Sequence, residues 1–170
     1  MPTRNMTFEA LVNAYSADLY RYGFWLCRNP AQAEDLVQET FMRAWKGLDR
    51  LKDSKAAKAW LFTILRREHA RHYSRPSLDL VSMNEMDFES QHFAAPGSDG
   101  AADMEFAQTL DALPLEYREP LLLQALGGYS CEEIASIMQI KAGAVMTRLF
   151  RARQKLRASF EKEMTGSRVK

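Results

Sequence analysis

A chain of 170 residues, 46% of them hydrophobic, can bury one ordinary core or two small ones. No window approaches the roughly 18 apolar residues of a membrane span, and the opening Met1–Glu9 lacks the apolar run of a secretory signal, so a cytoplasmic protein is expected. Net charge is +1, but its distribution is uneven: residues 1–75 hold 13 Lys/Arg against 8 Asp/Glu, residues 76–105 none against 7, and residues 106–170 hold 10 against 7. Two basic blocks flanking an acidic middle speak to partners, not to fold.

In chain order, the first expected helix begins near Thr7 as N-cap and carries Phe8, Leu11, Val12, Tyr15, Leu19, Tyr22 and Leu26 on one face. Asn29-Pro30 ends it and starts the next, with Asn as cap and Pro in the first turn. This second helix, AQAEDLVQETFMRAWKGL, repeats its apolar set at three and four: Leu36, Val37, Phe41, Ala44, Trp45 and Leu48. Asp49–Lys58 reads as a basic loop. The third helix, AWLFTILRREHARHY, turns Trp60, Leu61, Ile64 and Leu65 inward and its basic residues outward. Pro76 to Gly100 is acidic, without helical period, and long for a loop within one domain, so a boundary is expected there. Its scattered Leu, Val, Met and Phe residues imply that part of it docks on something.

After the boundary come a helix around Ala101–Leu113, ended by Pro114, and another over Leu115–Ala125, broken by Gly127-Gly128. Ser130-Cys-Glu-Glu133 spells a capping box for a short helix through Ile134, Ala135, Ile137 and Met138. A turn, Gln139-Ile140-Lys141, leads to a long basic helix from Ala142 to about Phe160. Short helix, tight turn and longer basic helix describe a helix-turn-helix, whose second helix lies in a DNA major groove. From Lys141 to Arg157 there are six basic residues and no acid, a self-repelling row unless a polyanion faces it.

Around the third helix, Lys52, Lys55, Lys58, Arg66, Arg67, Arg71 and Arg75 interleave with Trp60 and Phe62, which suits single-stranded DNA, although both aromatics also fit a core role. The second helix is different. Glu34, Asp35, Gln38 and Glu39 make its outer face too acidic for DNA; helix-dipole placement accounts for the first two, a protein-binding face for all four. Cys27 and Cys131 read as reduced thiols, and His69, His72 and His92 lack the flanking ligands of a metal site. No nucleophile set, phosphate loop or metal cluster points to an enzyme.

AEDLVQETFMRAW followed by AKAWLFTILRREHARHY resembles regions 2.2 to 2.4 of extracytoplasmic-function (ECF) sigma factors, of the sigma-70 family of bacterial RNA polymerase. ALPLEYREPLLLQALGGYSCEEIASIMQIKAGAVMTRLFRARQKLR resembles their region 4. The likeness implies an all-α chain of two small helical domains. A three-to-four-helix region 2 domain would span 7–75, a flexible acidic linker 76–100, and a four-helix region 4 domain with its helix-turn-helix 101–162. No large inhibitory region is expected before residue 7.

The resemblance further implies a sigma factor that binds core RNA polymerase and directs it to promoters, with no catalytic residues, cofactor, metal or small-molecule substrate. Asp35, Leu36, Gln38, Glu39 and Phe41 match the motif that docks on the β′ clamp helices, with the β flap as a second polymerase contact. The Gly47–Lys58 loop matches the element that captures a flipped −10 base, whose exposed pairing edge can then be read. Lys52, Lys55, Lys58, Arg66, Arg67, Arg71 and Arg75 would hold −10 DNA, and Lys141, Arg148, Arg151, Arg153 and Lys155 the −35 element. The acidic linker would thread the RNA-exit region. An anti-sigma factor is implied, a membrane-bound one among the candidates.

Four positions depart from the family pattern. Gln139 stands where Gly is usual, in a left-handed turn where a side chain costs about 1 kcal/mol. Lys141 replaces the usual cap, Met146 a common Lys and Arg67 a common Asn, all of which bear on which bases are read. Two rivals remain at this level. A helix-turn-helix regulator that never meets polymerase accounts for 115–160 but leaves the acidic face without a role. A module that only sequesters an anti-sigma factor has no need of the basic residues between Lys52 and Arg75.

Overall fold

The structure, a computed structural model, describes residues 3–74 and 107–168, and within these there are helices and no strands. The expected linker over 76–100 and the start of the helix expected from Ala101 lie outside the described residues. Helix α1 spans Arg4–Cys27, α2 Pro30–Lys46 and α3 Ala57–Ser74, with 3-10 turns at Leu48–Arg50 and Ser54–Ala56 in the connection expected as a loop. The second half holds α4 (107–112), α5 (Leu115–Gly127), α6 (Cys131–Met138) and α7 (Ala142–Arg168).

The ends of these helices are set by local chemistry. The Asn29 side chain accepts from the Gln32 N–H at 3.0 Å and Pro30 fills the first turn, as expected. The capping box is closed at both contacts: Ser130 Oγ accepts from the Glu133 N–H at 3.2 Å and Glu133 Oε1 from the Ser130 N–H at 3.1 Å. Gly128, at φ 68°, ends α5 in the left-handed region. The start of α1 is a correction. The cap is Thr3, whose hydroxyl accepts from the Met6 N–H, and Thr7 lies inside the first turn with its own hydroxyl donated to the Thr3 carbonyl at 3.1 Å. At the other end α7 runs past Phe160 to Arg168.

In the first half α1, α2 and α3 pack on one another around Leu19, Tyr22, Leu26, Leu36, Ala44, Leu61 and Leu65. In the second, Ile134, Ile137, Met138, Val145 and Leu149 form the shared core of the helix-turn-helix, with Ile140 packed against it as expected. The sequence leaves open how the halves sit. In the structure they are packed together: α1 lies against α5 and α3 against α6, so that one apolar cluster runs through both. Phe62 is the hinge of that continuity. It is fully buried, stacks on Tyr22 with centroids 5.0 Å apart and meets Tyr129 edge-on at 5.6 Å.

Candidate nucleic-acid and polymerase interfaces

Helix α2 is seated by its apolar face and presents its polar one. Leu36 and Phe41 are buried, the latter edge-on to Phe8 at 6.0 Å. Asp35 and Gln38 are exposed and Glu39 half-buried, at i, i+3 and i+4 on one outward strip. Of the five candidate docking residues, three therefore form a surface and two hold that surface in place. The strip continues into exposed Met42 and into Trp45, which packs edge-on against Phe8 at 5.1 Å and carries the Arg4 guanidinium over its ring at 4.6 Å. An ion-pair chain ties the strip to α3. Glu39 meets Arg43 at 3.3 Å, and Arg43 meets Glu68 at 2.5 Å. The Glu68 side chain is 4% exposed, so Arg43 holds a buried carboxylate. Glu68 is absent from the candidates drawn from sequence; its signal was to be the lone acid in a basic helix.

The candidate −10 residues divide between two sides of the domain. Lys52 and Lys55 are exposed on the turns between α2 and α3, where the Asp53 carboxylate accepts from the Lys55 N–H and fixes the second turn. Arg67 and Arg71 are exposed one helical turn apart on α3. Arg75 lies outside the described residues. Lys58 and Arg66, by contrast, share the α3 face that carries Phe62 and His69, and this face meets the second half of the chain. Lys58 Nζ donates to the Gly127 carbonyl at 3.4 Å and stands 3.8 Å from Asp18. Arg66 Nε stands 2.6 Å from Glu119 Oε1. The Tyr22 hydroxyl donates to that same oxygen at 3.3 Å.

This junction perturbs its ionisable groups. Burial raises the Glu119 carboxyl, with the Arg66 guanidinium pulling back, and burial raises the Tyr22 phenol well above its usual value, Glu119 adding to it. His69 is driven down to about 4 by burial and by Arg118, His72 and Arg66, so it is neutral at physiological pH. Burial pushes the Cys27 thiol up to about 12, which makes it unreactive, in keeping with a structural cysteine. Glu119 and Arg118 were not singled out from the sequence; two adjacent charges inside the otherwise largely apolar LEYREPLLL are the mark they left.

Among the −35 candidates, Lys141, Arg151, Arg153 and Lys155 are exposed and Arg148 half-buried. Arg148, Arg151 and Lys155 fall on one flank of α7, where Lys155 Nζ sits 5.6 Å from the Tyr117 ring centroid. Arg153 lies on the other flank and bonds Gln124. Gln139 takes φ 57°, the left-handed conformation anticipated for the turn, with its side chain in solvent. Among the described residues no three His, Cys, Asp or Glu gather to hold a metal ion, and no helix is long and apolar enough to cross a membrane.

Two family patterns match the chain in order: Sigma-70 region 2 over residues 11–77 and Sigma-70 region 4 over 103–156. The ECF RNA polymerase sigma factor EcfG of Rhodopseudomonas palustris is 36% identical over 144 residues, covering 82% of this chain and 77% of that one. The ECF RNA polymerase sigma factor SigM of Bacillus subtilis is 32% identical over 161 residues, covering 92% and 97%. Two solved structures are similar throughout. The sigma factor RpoE in complex with the anti-sigma factor NepR, from Bartonella quintana, gives a TM-score of 0.72 at 28% identity over 91% of this chain and 97% of that one. CnrH in complex with the cytosolic domain of CnrY gives 0.67 at 28% identity over 91% and 88%.

Proposed function

We propose that this chain, which belongs to the ECF RNA polymerase sigma factors of the sigma-70 family, docks on core polymerase through α2 and holds promoter DNA through α3 and α7. As a member of that family it directs RNA polymerase to promoters. The observation that carries the finer reading is the segregation of charge on two helices packed against each other. The outward strip of α2 is acidic at Asp35 and Glu39, while the turns before α3 and its outer face are basic at Lys52, Lys55, Arg67 and Arg71.

The acidic strip meets the β′ clamp helices, with Leu36 and Phe41 seating it from below. A polyanion would be repelled there and attracted to α3. The exposed turns before α3 take the −10 base from the opened strand. The flank of α7 bearing Arg148, Arg151 and Lys155, with Lys141 at its head, faces the −35 duplex, and Arg153 on the other flank meets phosphate at the groove edge. The second domain also supplies the β flap contact. The chain works by binding, in the cytoplasm, without a catalytic side chain or cofactor. One structural neighbour is a sigma factor in complex with an anti-sigma factor, which supports such a partner here too.

Reconstituted transcription with core polymerase on a genomic promoter library, with start sites mapped, tests this. Start sites sharing one −10 and one −35 element are expected. A chain that binds core but yields no promoter-directed starts refutes the reading and favours a module that only sequesters a partner.

A further inference from the structure

We propose that Met146 and Phe150 form an apolar reading pair on α7 that selects thymine by its 5-methyl group within the −35 element. The inference rests on the −35 assignment above and deepens it, by naming a base feature that is read and the side chains that read it.

The inward face of α7 is fixed by Val145, Leu149 and Ala152, which are buried. Away from that face, Met146 is 53% exposed and Phe150 61%, one helical turn apart. Helical spacing sets them between the two basic flanks, with Arg148, Arg151 and Lys155 on one side and Arg153 on the other. A large apolar pair held in water between rows of cations marks a contact surface. The cations fit that surface to a polyanion.

The neighbouring positions narrow what the pair meets. Ala142, Gly143 and Ala144 fill the first turn of α7, and a Cβ at Gly143 would meet nothing within 4 Å. This end of the helix can therefore come close to the floor of the groove, where a recognition helix meets base edges. Yet none of these three side chains can form a hydrogen bond to a base. Thr147 is exposed, but its hydroxyl donates to the Gly143 carbonyl at 3.0 Å, so its proton is spent within the helix. Met146, where the family pattern has a common Lys, offers a flexible apolar chain in place of a charge. Phe150 offers a ring.

In the major groove the apolar group that a base pair presents is the thymine 5-methyl, and apolar side chains are its complement. Such a contact distinguishes T·A from A·T and thymine from cytosine, which a phosphate contact cannot do. Met146 and Phe150 thus supply discrimination, and the flanking Arg and Lys residues supply most of the attraction.

The test uses the full-length chain assembled with core polymerase. The probe is the promoter duplex whose −35 element is mapped in the transcription experiment above. Each thymine of that element, on either strand, is replaced in turn by deoxyuridine, which removes the methyl group and keeps every hydrogen-bonding group. Competition binding reads the affinity of wild type and of the double variant Met146→Ala with Phe150→Ala. Both sites are exposed and alanine favours the helix, so the variant keeps its fold. The expected result is a wild-type penalty of about fourfold at one or more positions, the worth of one buried methyl group, and its disappearance in the double variant. No penalty at any position overturns the proposal. A penalty that persists in the double variant does so too, because the methyl group then acts through DNA shape or another side chain. A double variant that loses core polymerase while the methyl penalty remains assigns the pair to polymerase and overturns it as well. A scrambled −35 element separates the two levels. If the scrambled duplex binds as well as the mapped one, the −35 assignment itself has failed. If scrambling weakens binding and deoxyuridine does not, the methyl reading alone has failed.

Discussion

Replacing His69 by glutamine is expected to flatten the loss of stability on acidification. His69 is 5% exposed on the α3 face against the second domain, with a pKa lowered to about 4 by burial first and then by Arg118, His72 and Arg66. A histidine with a depressed folded pKa takes up its proton more readily in the unfolded chain. Its contribution is therefore intact above the unfolded value of 6.5 and is lost as pH falls toward the folded value. Linkage gives about 2 kcal/mol lost by about pH 5 and about 3.4 kcal/mol once both states are protonated. Urea denaturation of wild type and His69→Gln at several pH values between about 7.5 and 4.5 measures the difference. Glu119 titrates in both proteins and cancels. The gap in unfolding free energy should shift by about 2 kcal/mol in favour of the variant between pH 7.5 and pH 5. Parallel curves across that range would refute the claim that this histidine is held neutral by its surroundings.

Three further outcomes are expected. Asp35→Arg with Glu39→Arg reverses the α2 strip and should abolish co-purification with core polymerase; retained co-purification removes α2 from the docking surface. Arg148→Ala or Arg151→Ala should each weaken promoter binding by about 1–3 kcal/mol, and normal transcription from both variants ends the −35 assignment. Arg43→Met strands the buried Glu68 carboxylate, with Arg71 at 3.9 Å in reserve, and should destabilise the fold by about 2 kcal/mol, most of it recovered in the double variant with Glu68→Leu; thermal melts of the four proteins in that cycle decide it.

The structure also separates what pattern could and could not supply. Asn29-Pro30, Gly127-Gly128 and the Ser130–Glu133 box marked helix ends correctly because each end is satisfied by groups within a few residues of it. A threonine ahead of the apolar run points to Thr7 as the cap, but the placed chain has Thr3 in that role, about one turn earlier. The end of α7 escaped because the residues past Phe160 are mostly polar and carry no core-facing period to extend it.

The site divides in the same way. The acidic strip Asp35, Gln38 and Glu39 was legible because spacing of three and four places residues together on any helix. So was the basic row of α7. By itself, then, the sequence determined the helices, the helix-turn-helix and the sign of each surface, all consequences of contacts between near neighbours in the chain. The tertiary structure alone decided which basic residues are available. Lys58 and Arg66 read like Arg67 and Arg71 until α5 and α6 are set against α3, where Glu119, 53 positions beyond Arg66, takes its guanidinium. No local pattern encodes that contact, because it depends on how one apolar cluster closes around Phe62 and Tyr129 from both halves of the chain.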